Sequence, residues 1–139
     1  SYLSYAANQK GISASFIDLA NQVNLDMPKY VVNRVEADNG GSVKGKTVQV
    51  IGVAYKPNVA DVRETPAELV IAELVAQGAN VTWHDPVVKS WHGAKSIDLG
   101  GADIAIVVTL DDVMDASKVA TSAPYVFDTT GKVKNAIQL

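Results

Sequence analysis

Residues Asp103 to Val108 read Asp-Ile-Ala-Ile-Val-Val, a strand-length run in which nearly every position is apolar. A strand with one solvated face alternates apolar and polar residues. A run without that alternation belongs to a strand covered on both sides, as in a parallel sheet between two helical layers. Two other runs fit the same sheet: Thr47 to Val53, β-branched and ending at Gly52, and Asn80 to His84, halted by Asp85-Pro86. Tyr125 to Phe127 reads as a last strand before the turn at Gly131.

Between the first two strands the chain spells out a helix start. Thr65 stands as N-cap, Pro66 at the first helical position and Glu68 at the third, the T-x-x-E pattern of a capping box. Ala67, Val70, Ile71, Leu74 and Val75 supply its buried face, and Gly78 is placed to stop it. A short helix is expected around Asp111 to Val119, with Asp111 and Asp112 as its cap and first turn rather than a catalytic carboxylate pair. Strands alternating with helices predict an α/β domain, a Rossmann-like doubly wound parallel sheet in three layers. Ligands of such sheets bind beyond the carboxyl ends of the strands. That rule selects the loops Ala54 to Glu64, His84 to Val88, Thr109 to Asp111 and Asp128 to Gly131.

Ahead of this domain, Ser1 to about Asn39 reads as helical. Phe16, Ile17, Leu19, Ala20, Val23, Met27, Val31, Val32 and Val35 form an apolar stripe, Gly11 interrupts it, and Pro28 predicts a kink or restart. Such a helix either lies on its own domain or forms an arm against a partner chain, and its length favours the arm. With Asn39-Gly40-Gly41-Ser42 as linker, the expected division is a helical arm over 1–41 and a ligand-binding domain over 42–139.

The 139 residues suffice for one domain and an appendage. A net charge of −3 leaves no broad basic surface for a nucleic acid. No apolar run has the length of a membrane span, and the first residues lack the pattern of a signal peptide, so a cytoplasmic protein is expected. The chain has no cysteine, which excludes thiolate chemistry of its own. His84 and His92 have no partners at metal-ligand spacing, so no metal site is expected. Trp83 and Trp91 read as packing residues, and Asp85, followed by Pro86, as a turn-capping acid.

The loop after the first strand carries the densest chemistry. It lies between a strand end and a helix N-terminus, where anions are favoured. Lys56 and Arg63 suit a diphosphate there; equally, they could be solvated charges paired with Asp61 and Glu64. The dinucleotide fingerprint G-x-G-x-x-G does not follow this strand, so the fold alone licenses no cofactor.

The ordered run from Gly45-Lys46-Thr47 through Gly52-Val53-Ala54-Tyr55-Lys56-Pro57, Asp61-Val62-Arg63-Glu64-Thr65-Pro66 and His84-Asp85-Pro86 resembles the C-terminal domain of the UDP-glucose/GDP-mannose dehydrogenase family. Upstream, Tyr2-Leu3-Ser4, Ile17, Asn24, Met27-Pro28 and Val31-Val32 resemble the end of that family's central dimerisation helix.

The resemblance implies a nucleotide-sugar-binding fragment of an NAD-dependent UDP-sugar 6-dehydrogenase, which oxidises a C6 alcohol to the carboxylate. It also implies that the catalytic cysteine and the NAD-binding domain lie outside this chain. The fragment is expected to be inactive alone, with no catalytic residue of its own, and to dimerise through the helical arm. By the same resemblance Lys56 contacts the nucleotide sugar, Arg63 reaches toward NAD, and Tyr55 lies beside the nucleotide, though a structural tyrosine at a strand end fits that position equally. Thr130 stands where many UDP-glucose dehydrogenases carry an arginine, which Lys132 or Lys134 could replace. UDP-N-acetylmannosamine therefore stands beside UDP-glucose as substrate. A GDP-mannose dehydrogenase and a non-catalytic nucleotide-binding or dimerisation module are the alternatives.

Overall fold

A computed structural model of the chain describes residues 14–55, 57–58, 60, 62 and 65–139; for 14–25 only the backbone is described. The elements in order are helix α1 (Ala14–Asp38), strand β1 (Thr47–Ile51), helix α2 (Pro66–Ala76), strands β2 (Asn80–His84), β3 (Ser90–Trp91), β4 (Ala94–Lys95) and β5 (Ile104–Val107), helix α3 (Ala116–Ala120), and strands β6 (Tyr125–Asp128) and β7 (Ile137–Gln138). The main sheet is parallel throughout, in the order β2-β1-β5-β6-β7.

Alternate residues of β5 explain the layers. Ile104 and Ile106 join Val48 and Val50 of β1 in a core shared with α1 and α2, while Ala105 and Val107 face a second core with Ile51, Val126 and Val119 of α3. All four β5 side chains are buried, as an apolar run without alternation requires. The expected three-layer Rossmann-like α/β fold is thus the observed one.

Helix α2 begins and ends where its local signals lie. Thr65 has extended backbone, and its hydroxyl oxygen accepts the Ala67 N–H at 3.2 Å. At the other end Ala79 N–H reaches Leu74 O at 3.1 Å and Gly78 N–H reaches Val75 O at 3.0 Å, a Schellman closure that requires the left-handed φ of +87° at Gly78. The capping box is only half formed, because the Glu68 carboxylate lies 3.1 Å from His92 Nε2.

Helix α1 runs unbroken through Pro28, so of the kink or restart expected there the restart does not occur. An interior proline costs roughly 3 kcal/mol. Val31, Val32 and Val35 just beyond it are fully buried against the domain, and at roughly 1.5–3 kcal/mol each their burial outweighs that cost. The last turns of the helix therefore lie on their own domain, tied further by the Tyr125 hydroxyl, which donates to Asp38 at 2.7 Å. Gly11 and the Tyr2-Leu3-Ser4 segment lie outside the described residues.

Two short features escaped the sequence reading. The β3–β4 pair is an antiparallel hairpin whose turn residues, His92 and Gly93, have φ of +51° and +73°. A two-residue loop ending in glycine was its signal. Strand β7 is two exposed residues at the sheet edge, paired with Phe127 and Asp128.

Candidate functional site

The strand order creates one switch point. From β1 the chain crosses outward to β2, and from there to β5 on the opposite side of β1, so the connections after β1 and β2 lead in opposite directions along the sheet. A crevice at that place is where doubly wound sheets hold their ligands. Gly52 makes the approach possible: its φ is +82°, and a Cβ there would stand 1.9 Å from the carbonyl oxygen of Thr109.

The base of the loop after β1 is fixed from three sides. Gly52 N–H donates to His84 O at 2.8 Å, and Val53 N–H to Asp85 Oδ2 at 2.9 Å. The Ala54 carbonyl accepts both the Thr65 hydroxyl, at 3.3 Å, and the Thr109 hydroxyl, at 3.2 Å. Beyond this base Tyr55 is 52% exposed, available as the aromatic surface expected of it.

Asn58 then clasps the loop to the end of β5. Its N–H donates to Asp111 Oδ1, its Nδ2 donates to Asp112 Oδ2 at 3.0 Å, and its Oδ1 accepts the Asp112 N–H at 2.9 Å. Its backbone is left-handed, φ +67°, a conformation asparagine tolerates better than most residues. Sequence reasoning missed this residue, whose partners stand 53 and 54 positions away.

Asp111 is therefore not a helix cap. Asp115 caps α3, accepting the N–H groups of Ser117 and Lys118 at 2.9 and 3.4 Å. Asp111 is instead buried, and its Oδ2 has no partner among the described residues. Burial pushes its carboxyl above the ordinary range, and the neighbouring Asp85 adds to the rise; the Asn58 N–H opposes it. The environment that Asp85 and Asn58 make around this aspartate is invisible in the sequence. Asp85 itself caps a turn as expected: its Oδ1 accepts Val87 and Val88 N–H at 2.8 and 3.2 Å.

Of the expected site residues, Tyr55 is exposed in the loop after β1, while Lys56 and Arg63 lie outside the described residues, as do Asp61 and Glu64. The Thr130 hydroxyl donates to Asp128 Oδ1 at 2.7 Å and accepts Lys132 N–H at 3.1 Å, so it serves its own turn. Lys132 and Lys134 line a cavity against α3 with Ser117 and Asn135, not the switch point. His84 Nδ1 pairs with Ile97 O at 2.7 Å, and Trp83 packs edge-on against Trp91 with ring centroids 6.0 Å apart. Among the described residues no cluster of three or more histidine or acidic side chains could hold a metal.

The described residues do not fit NAD. A dinucleotide site needs several glycines under the pyrophosphate and a free acid at the end of the second strand. Here Gly52 alone opens the turn and abuts Thr109, and Asp85 is occupied by three backbone N–H groups.

Residues 49–135 match the model of the UDP-glucose/GDP-mannose dehydrogenase family, UDP binding domain. The chain is 36% identical over 115 residues to a UDP-N-acetyl-D-mannosamine dehydrogenase of Methanococcus maripaludis, covering 79% of this chain and 27% of that protein. It is 36% identical over 81 residues to a UDP-glucose 6-dehydrogenase of Bacillus subtilis, covering 58% of this chain and 17% of that one. A UDP-glucose dehydrogenase structure from Pyrobaculum islandicum superposes with a TM-score of 0.74 at 25% identity, covering 98% of this chain and 33% of that one. The chain thus spans about a quarter of the length of the first curated relatives it matches, 27% and 25%.

Proposed function

Given that this chain belongs to the UDP-glucose/GDP-mannose dehydrogenase family and carries its UDP binding domain, we propose that it holds the nucleotide half of a UDP-sugar while the C6 alcohol is oxidised, in four electrons, to a carboxylate. The observation that carries this reading is the loop after β1, gripped at Ala54 and Asn58, at the switch point of the sheet and ahead of the start of α2. A diphosphate near a helix N-terminus meets a favourable field, and Lys56, two residues from each grip, supplies the cation. Tyr55 offers an exposed ring beside it.

The hydride acceptor NAD and the cysteine nucleophile belong, in this reading, to another part of the enzyme. Arg63 would reach toward NAD from the domain over 42–139. Closing one domain on the other would exclude water from the reacting carbon. The helix over 1–41 would bring two copies together as a homodimer, in the cytoplasm. Among the described residues no helix is long and apolar enough to cross a membrane.

The test is calorimetric titration of the chain with UDP, GDP and UDP-sugars, repeated for Lys56→Ala. Saturable UDP binding that the substitution weakens tenfold or so would support the reading. Binding by neither protein, or equally by both, would remove Lys56 from it.

A further inference from the structure

We propose that Asn58 is a positioning residue for the nucleotide-sugar loop, clasped by Asp111 and Asp112 so that the segment carrying Tyr55 and Lys56 is tethered at both ends; this rests on the reading of that loop given above. One tether is the Ala54 carbonyl, held by two hydroxyls, and the other is Asn58, held by its three bonds to the loop after β5. Only Tyr55, Lys56 and Pro57 lie between them.

The core does not need this clasp. Asn58 is exposed and its side-chain partner Asp112 is exposed as well, whereas Val62, further along the loop, packs against the core. A left-handed asparagine held to a second loop by a reciprocal side-chain pair is a fixed point for the segment that precedes it. Fixing the segment before the ligand arrives lowers the ordering cost of binding. Asp111 suits the role because burial holds its carboxyl in place, with one oxygen on the Asn58 N–H.

The pair is also exchangeable. Asn58→Asp sets a carboxylate against Asp112 and opens the clasp, and adding Asp112→Asn restores a donor opposite an acceptor. The experiment measures UDP affinity by calorimetry and melting temperature for the unaltered chain, Asn58→Ala, Asn58→Asp and the Asn58→Asp/Asp112→Asn exchange. Asn58→Ala, which changes no charge, should weaken UDP binding about fivefold, Asn58→Asp by more, and the exchange should recover most of the loss while melting temperatures stay close together. Equal UDP affinity in all four proteins, or an exchange that recovers nothing, would overturn the inference while leaving the loop reading intact. If the unaltered chain takes up no UDP, the loop reading itself fails, and this inference with it.

Discussion

Gly52 and Thr109 touch backbone to backbone: a Cβ at position 52 would come within 1.9 Å of the Thr109 oxygen and 2.6 Å of its carbonyl carbon. Both partners are main chain at the ends of paired strands, so neither can swing aside. Gly52→Ala should therefore destabilise the domain by roughly 2–4 kcal/mol, combining the left-handed backbone with the clash. Urea unfolding would check this, and a loss below about 0.5 kcal/mol would show that the strands part easily there.

Asp111 predicts an unusual pH dependence. Its folded-state pKa is raised by burial and by Asp85, so the stability linked to its proton is fully present below the ordinary carboxylate pKa and is lost as pH rises through the folded value. Asp38 and Asp115, whose pKa values are lowered, act in the opposite sense and lose stability as pH falls. The comparison that isolates Asp111 is wild type against Asp111→Asn, which keeps an acceptor for Asn58 and removes the titration. Melting temperatures from about pH 4 to 8 should show the wild type falling behind the variant as pH rises. Parallel curves would mean that Asp111 does not hold its proton.

Thr65 joins two functions in one hydroxyl, capping α2 through Ala67 N–H and donating to Ala54 O. Thr65→Ala should cost about 1–2 kcal/mol, whereas Thr65→Ser, which keeps the oxygen, should cost less. Thermal unfolding of the two variants decides it; equal losses would place the effect in the methyl group.

Tyr125 and Asp38 tie the end of α1 to β6. The Tyr125 hydroxyl is the largest influence holding the Asp38 carboxyl below the usual range, ahead of Arg34, whose Nε lies 3.1 Å away. Burial, and next the hydrogen bond to Asp38, raise the Tyr125 phenol well above its ordinary value. In Tyr125→Phe the Asp38 carboxyl should titrate at higher pH, observable by side-chain carboxyl NMR. An unchanged titration would assign the hold to Arg34.

The parts of this protein that its sequence determined are those where the deciding forces act within a few residues. β5 declared itself because apolar side chains at successive positions can be buried only between two layers, and α2 because Thr65, Pro66 and Gly78 meet backbone requirements set by their immediate neighbours. The β3–β4 hairpin escaped the sequence reading despite its glycine-ended turn, because its two-residue strands are too short to show a period. Pro28, by contrast, reads locally as a kink or restart, and the burial of Val31, Val32 and Val35 on the folded domain outweighs the cost of continuing the helix through it.

The site shows the same division. The switch point follows from strand order, and Tyr55 is exposed in the loop after β1. What the tertiary structure alone decided is the use of the acids. A linear reading makes Asp111 and Asp112 the cap and first turn of the helix that Asp115 in fact caps. Folding brings Asn58 against the first two and leaves Asp115 free to reach Ser117 and Lys118. A cap is chosen by neighbours in the chain; a clasp is chosen by neighbours in space, across more than fifty residues that carry no local sign of the meeting.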